Sequence, residues 1–251
     1  MTPNRLSHKR RLRVGSYEMN VRTASSRPRA RSIVFVHGIG VSGTYFVPFA
    51  EVCARDYSVH VLDLPGYGTT PKPPQPLTLE EMADVVADYI RTSEIDEAII
   101  VAHSMGCQTA VHFAARHPEL CAKLVLIGPT ANKDERRRIA QAYRLLQDTF
   151  KEPLRANGLI FADYLRMGPL RYLKTARFMV DDTIETHLKK VSANILLVRG
   201  EKDSISPRPW MNYLCQQTTR ATMVEIPAAP HAVQFSKPKE LLDACDGFLR
   251  A

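Results

Sequence analysis

Ser104 is the residue of this chain whose surroundings speak first of chemistry. It stands in Ala102-His103-Ser104-Met105-Gly106, between a buried run, Glu97–His103, and a helical pattern, Ser104–Arg116. A serine at a sharp strand-to-helix turn needs small side chains two residues before it and two after, which Ala102 and Gly106 supply. Such a turn lifts the hydroxyl above the sheet. It also aims the Met105 N–H, at a helix N-terminus, at the same point. A serine hydroxyl is a weak nucleophile until a base takes its proton. His231, just beyond the run Ala221–Ile226, is the candidate base. Asp203, just beyond Asn194–Arg199, is the candidate carboxylate that would fix the imidazole tautomer and stabilise its charged form. Glu201 is the stand-in for Asp203 but lies two residues closer to its strand. His103 is read as a packing and hydrogen-bonding neighbour, His37 as a brace of its loop, and Asp63 as an anchor for the turn at Gly66.

A tetrahedral intermediate on Ser104 needs a second donor besides Met105. The run Ser32–His37 leads into Gly38-Ile39-Gly40, where small residues let the backbone approach a substrate oxygen. The Ile39 N–H is the expected second donor of this oxyanion hole, and Gly38 is expected to border the substrate. One such donor contributes about 2.7–4 kcal/mol to transition-state stabilisation.

The elements that must hold these residues follow from apolar runs. Ser32–His37, Tyr57–Asp63, Glu97–His103, Lys123–Gly128, Asn194–Arg199 and Ala221–Ile226 are short, rich in Val and Ile, and continuous rather than alternating. That is the pattern of strands covered on both faces. Leu12–Arg22 reads as strand–turn–strand around Gly15 and Ser16. Helical patterns lie between the runs: Tyr45–Arg55, Thr78–Ser93 with Thr78 as N-cap, Ser104–Arg116, Pro207–Gln217 and Lys237–Leu249. Alternation of this kind predicts an α/β fold, a mostly parallel sheet with helices on both faces.

Residues 131–190 break the rhythm with helical patterns over 134–150, 153–166, 169–180 and 183–190 and no buried strand. They are expected to form a helical cap on a core made of 1–130 and 191–251. Tyr143, Phe150, Phe161, Tyr164, Leu165, Met167 and Phe178 are the cap residues that would set substrate selectivity. Tyr143, Phe161, Tyr164 and Phe178 are taken as substrate-binding candidates.

Charge and composition narrow the partners. The chain has 251 residues and a net charge of +8. Residues 1–31 carry nine Lys or Arg against Glu18 alone, so the rest of the chain is balanced. No stretch interleaves aromatic with basic residues as a base-stacking surface would, so no nucleic-acid partner is expected. The basic run Lys9–Arg13 fits a solvated edge strand. Residues 131–190 hold 13 basic and 8 acidic side chains, opening with Arg136, Arg137 and Arg138. That excess would suit an acidic carrier protein bringing an acyl group. Five cysteines (Cys53, Cys107, Cys121, Cys215, Cys245), odd in number and with no pair two residues apart, argue against a disulfide framework and a zinc site. No metal is expected. No apolar run approaches the ~20 residues of a membrane helix. The basic N-terminus has no apolar core behind it, and a cytoplasmic location is expected.

These motifs together resemble the α/β-hydrolase fold enzymes over nearly the whole chain. The matching pieces are His37-Gly38-Ile39-Gly40, Asp63-Leu64-Pro65-Gly66-Tyr67-Gly68, the Ala102–Gly106 elbow, Gly200–Asp203 followed by Pro207, and His231 in its loop. The resemblance implies an eight-stranded, mostly parallel sheet, a helical cap inserted after the sixth strand, hydrolysis through an acyl-serine, and no cofactor. His-Ser-Met-Gly is similar to the elbow of many carboxylesterases and monoacylglycerol lipases. Serine rather than aspartate at the nucleophile sets the chain apart from epoxide hydrolases and haloalkane dehalogenases. No Trp follows His231, unlike in meta-cleavage C–C hydrolases.

The expected function is a serine esterase acting on a small-molecule carboxylic ester. The alternatives are a thioesterase or carrier-bound acyl or methyl ester hydrolase using the basic cap, an acyltransferase, and a non-catalytic binding protein on the same scaffold.

Overall fold

The structure is a computed structural model, and it describes residues 6, 8–25, 27, 30–130 and 154–251. Its centre is an eight-stranded sheet: β1 (Arg10–Val14), β2 (Tyr17–Ala24), β3 (Ser32–Val36), β4 (Ser58–Asp63), β5 (Ala98–His103), β6 (Cys121–Ile127), β7 (Asn194–Gly200) and β8 (Ala221–Ile226). The spatial order is β1-β2-β4-β3-β5-β6-β7-β8. β1 pairs antiparallel with β2 and β2 antiparallel with β4, and every later pairing is parallel. The expected strand–turn–strand is the β1–β2 hairpin, closed at Gly15-Ser16 between Val14 and Tyr17. β1 is an edge strand whose Arg10, Arg11 and Arg13 face solvent, a charge pattern that opposes edge-to-edge pairing.

The continuous apolar runs are explained by two separate cores. Val34, Val36, Ile100, Ala102, Leu124, Leu126, Ile195 and Leu197 pack on one face of the sheet. Their immediate neighbours Ile33, Phe35, Ile99, Val101, Val125, Ile127, Leu196 and Val198 pack on the other. Successive side chains point to opposite faces, so a strand buried on both sides must be apolar at every position.

Helices α2 (Leu79–Thr92), α3 (Met105–Arg116) and α7 (Arg208–Cys215) cover the first face. Helices α1 (Val47–Cys53) and α9 (Pro238–Arg250), with the short α8 (Val233–Ser236), cover the second. The N-cap expected at Thr78 is a complete capping box: the Glu81 N–H donates to Thr78 Oγ1 (3.2 Å) and the Thr78 N–H to Glu81 Oε2 (2.7 Å). The first part of the expected helix 45–55 is instead a 3-10 turn, Gly43–Phe46, with Pro48 opening the α-helix proper. The five cysteines are free thiols, four of them buried.

Between β6 and β7 the described chain forms α4 (Leu154–Met167), α5 (Pro169–Asp181) and α6 (Ile184–Leu188). The helix expected over 134–150, with Tyr143, Phe150 and Arg136–Arg138, lies outside the described residues. Met167, Met179, Val180, Ile184 and Leu188 join the core on the α2–α3 face. Polar contacts fasten the same segment. The Ser42 N–H donates to Asp163 Oδ2 (2.9 Å), and Gln108 Nε2 donates to the Met179 carbonyl (2.8 Å) and to Asp182 Oδ2 (3.0 Å). Among the described residues no helix is long and apolar enough to cross a membrane.

Candidate active site

Ser104 occupies the turn between β5 and α3 with φ +57 and ψ −128. This is a rare conformation for a residue with a side chain, and such strain costs about 1–3 kcal/mol. The turn holds because its surroundings over-determine it. The Ser104 N–H donates to the Ile127 carbonyl of β6 (3.0 Å), and the Cys107 N–H closes back on the Ser104 carbonyl (3.0 Å). Gly106 has no room for a side chain: a Cβ there would lie 2.5 Å from the carbonyl oxygens of Val36 and His37. Because α3 starts at Met105, the Met105 N–H has no acceptor within its helix.

The expected oxyanion loop runs beside Ser104. A methyl group on Gly38 would sit 3.0 Å from Ser104 Cβ and 3.5 Å from Ser104 Oγ. The Gly38 N–H is already committed, donating to Tyr45 Oη (2.9 Å). Gly38 therefore shapes the loop rather than offering a donor. His37 braces the loop as expected. Its Nε2 accepts from the Leu64 N–H (3.1 Å), so Nδ1 carries the proton toward the Gly38 carbonyl (2.9 Å). Burial pushes the His37 pKa down, keeping the ring neutral.

Asp203 and His231 are brought together. His231 Nδ1 lies 2.9 Å from Asp203 Oδ2. The other carboxylate oxygen accepts from the N–H groups of Ile205 (2.8 Å) and Ser206 (2.9 Å). Ser104, Asp203 and His231 are 4%, 3% and 6% exposed. Burial by itself would raise the Asp203 pKa. The neighbouring His231 and the two amides outweigh it and hold the carboxyl below its usual 3.8. An ionised carboxylate on Nδ1 leaves Nε2 as the basic nitrogen of His231.

Three features of this arrangement escape the sequence motifs. The first is Gly128, at the end of β6 with φ +55. A Cβ there would lie 2.8 Å from His231 Cε1 and 3.1 Å from Asp203 Oδ2, so the His–Asp pair occupies the space a side chain would fill. Its signal was available, since Gly128 closes a buried run at the same sheet edge as Ser104. The second is Arg199, whose buried guanidinium donates to the carbonyls of Glu201, Asp203 and Ser206 (3.1, 3.2 and 3.0 Å) and pairs with Glu225. It ties the Asp203 loop to its own strand.

The third is a relay of hydrogen bonds behind the site. Tyr45 Oη accepts from Gly38 and lies 2.7 Å from His103 Nδ1, and His103 Nε2 lies 3.1 Å from the His231 carbonyl. With Tyr45 accepting from Gly38, its O–H donates to His103 Nδ1, and His103 Nε2–H donates to His231. Burial first, and the adjacent His231 second, drive the His103 pKa well down, which keeps this neutral tautomer. His103 thus serves as the hydrogen-bonding neighbour expected of it.

Glu201 holds a turn instead: its Oε2 accepts from the Ala228 N–H (2.7 Å). Asp63 is an anchor, fully buried, accepting from the Gly43 N–H (2.9 Å) and pairing with Lys9 (2.6 Å).

Of the substrate-binding candidates, Tyr164 lies against the Gly38-Ile39-Gly40 loop, its ring over Gly40. Phe161 stands 63% exposed. Phe178 is half-buried and lines a cavity with Glu80, Asp182 and His187, none of them in the Ser104–Asp203–His231 set. Tyr143 lies outside the described residues.

The Alpha/beta hydrolase family profile matches residues 33–244. A 2-(acetamidomethylene)succinate hydrolase of Mesorhizobium japonicum is 26% identical over 268 residues, covering 96% of this chain and 95% of that protein. A pimeloyl-[acyl-carrier protein] methyl ester esterase of Chromobacterium violaceum is 26% identical over 240 residues, covering 84% and 91%. Among solved structures, E-2-(acetamidomethylene)succinate hydrolase superposes with a TM-score of 0.79 at 25% identity, covering 97% of this chain and 99% of that one. The enol-lactonase from Burkholderia xenovorans has the same fold, with a TM-score of 0.82 at 20% identity over 96% and 100%. A strained serine at a strand-to-helix turn, an eight-stranded sheet in this order and a family match spanning most of the chain agree: the protein belongs to the alpha/beta hydrolase family and is an enzyme that hydrolyses esters or similar bonds.

Proposed function

We propose that the protein is a serine esterase that cleaves a carboxylic ester through an acyl-serine on Ser104. The observation that carries this reading is the buried His231–Asp203 pair, 2.9 Å apart, at the same sheet edge as the strained Ser104 turn. His231 Nε2 takes the Ser104 proton as Oγ attacks the carbonyl carbon. The N–H groups of Met105 and Ile39 hold the oxyanion. Collapse breaks the ester C–O bond, and His231 gives its proton to the departing alkoxide. Water then attacks the acyl-enzyme, with His231 again taking a proton. The acid leaves and Ser104 Oγ regains its hydrogen. No cofactor enters these steps.

Residues 131–190 act as the cap and the remainder as the core. Tyr164, over Gly40, is the described cap residue best placed to border the acyl group. The test is a panel of p-nitrophenyl esters of rising chain length. An initial burst of nitrophenol followed by slower turnover, absent from Ser104→Ala, is the expected result. Equal turnover by Ser104→Ala, or none by the folded wild type, would overturn the reading.

A second reading, a carrier-bound ester as substrate, has two supports. One is the relative named as a pimeloyl-[acyl-carrier protein] methyl ester esterase. The other is the cap's solvent-facing Arg166, Lys174 and Arg177, which suit an acidic partner. It predicts a higher kcat/KM for a carrier-bound methyl ester than for the free one, an advantage that fades as salt rises. Equal kcat/KM for the two would remove it.

A further inference from the structure

The seam between the cap and helix α3 gathers a second set of chemically capable side chains, unrelated to the catalytic steps. His112 lies on α3, and Asp182 and His187 come from the cap's last turns. His112 Nε2 is 2.7 Å from Asp182 Oδ1, and His187 Nε2 is 3.9 Å from the same oxygen. The two imidazole rings stand 4.1 Å apart, inclined at 45°. One donor atom from each of the three residues lies within 4.8 Å of the others. Glu80 of α2 adds a fourth group, its Oε1 3.8 Å from His112 Nε2.

A tetrahedral zinc ion with bonds of about 2.0–2.1 Å holds neighbouring ligand atoms about 3.4 Å apart. The separations of 2.7 and 3.9 Å straddle that value, and with all three donors within 4.8 Å of one another the remaining gap to close is at most about 1.4 Å.

We propose that His112, Asp182 and His187 form a binding site for a borderline divalent cation, Zn2+ foremost, with Glu80 or water as the fourth ligand. Two imidazoles and a carboxylate are a donor set suited to zinc rather than to calcium or magnesium. The carboxylate is already oriented: Asp182 Oδ2 accepts from Gln108 Nε2 (3.0 Å), and Gln108 is held in turn by the Met179 carbonyl (2.8 Å) and by Thr130 Oγ1 (3.4 Å). Fixed outer partners of this kind set ligand direction in metal sites. A cavity of about 270 Å3 lined by Glu80, Phe178, Asp182 and His187 gives the ion a way in. Binding at His112 Nε2 moves the hydrogen shared with Asp182 Oδ1 to Nδ1 of the same ring, which stays neutral. The ion would clasp the cap to α3, the helix that starts at the nucleophile turn, so its effect falls on cap anchoring rather than on the chemistry.

The test uses the full-length chain, stripped with chelator and titrated with ZnCl2 by calorimetry and thermal melting. Cobalt substitution reports geometry through visible absorption. The expected result is one zinc per chain, a raised melting temperature and a tetrahedral cobalt spectrum. All three are retained in His231→Ala, which removes the other His–Asp pair. His187→Gln weakens zinc binding by at least about tenfold, while the zinc-free protein melts and turns over ester as the wild type does. Undiminished zinc binding in His187→Gln, loss of it in His231→Ala, or no binding to the wild type would overturn the assignment.

Discussion

Two parts of this molecule are held in place by different means. The proposed catalytic edge of the sheet is fixed by backbone geometry: Ser104, Asp203 and His231 stand within five residues of the ends of three parallel strands, and each is nearly inaccessible to solvent. The helices between β6 and β7 have an apolar inner side, yet they also leave Phe161, Leu165, Leu170 and Leu173 largely in solvent. Their ties to the core include a few side-chain hydrogen bonds, at Asp163, Gln108 and Asp182. The difference shows where precision is needed. Reacting atoms must be placed to a fraction of an ångström. A surface that admits substrate can be fastened at a few points.

The comparison can be broken most severely at the catalytic edge. Ser104→Ala and His231→Ala are each expected to lower kcat by about 10^4–10^6, and the double variant no further, because the residues act as one unit. Kinetics of the three variants, with circular dichroism to confirm folding, checks this. Multiplying losses would show that the two do not share a step.

Gly128→Ala is the next largest. A methyl at φ +55 presses on both His231 and Asp203, and a misplaced general base costs about 100-fold in kcat. Steady-state assays should show the loss mainly in kcat, with KM little changed. Tyr45→Phe removes the O–H that links Gly38 to His103. A hydrogen bond of about 1 kcal/mol corresponds to a loss of about fivefold in kcat/KM.

On the other side of the comparison, Asp163→Ala frees the Ser42 N–H from its buried partner. It should destabilise the protein by about 1–3 kcal/mol in denaturant melts and raise KM while leaving kcat near the wild-type value.

A separate effect is expected on acid stability. Burial lowers the pKa values of His37, His60 and His103, that of His60 to about 4. Between pH 6.5 and about 4 the unfolded chain therefore binds protons that the folded chain refuses, so stability falls as pH falls through that window. Denaturant melts of His60→Gln should show a shallower decline there than the wild type.

Much of the catalytic edge is readable in the amino-acid order because it is local. Small residues around Ser104, and an acidic and a basic residue each placed just after an apolar run, are near-neighbour patterns. The buried strands are equally plain, because a strand with a core on both faces admits no polar alternation. What stays hidden is whatever the topology brings together from afar. Gly128 meets His231 and Asp203 across three strand ends, Lys9 reaches Asp63, and His112 meets His187 only once α6 packs on α3. The expected binding role of Phe161 did not anticipate its exposure, because two helical patterns alone do not say which face turns inward. At Tyr45 and Phe46 the start of the expected helix 45–55 is a 3-10 turn, since the apolar spacing fits either form.

The most direct test of the central claim is labelling with a fluorophosphonate probe followed by peptide mass mapping. The phosphorus would bond to an activated serine oxygen with loss of fluoride. The account predicts one adduct per chain, on the peptide carrying Ser104, abolished in Ser104→Ala and slowed at least about a hundredfold in His231→Ala. An adduct on another residue, or none on the folded wild type, would contradict it.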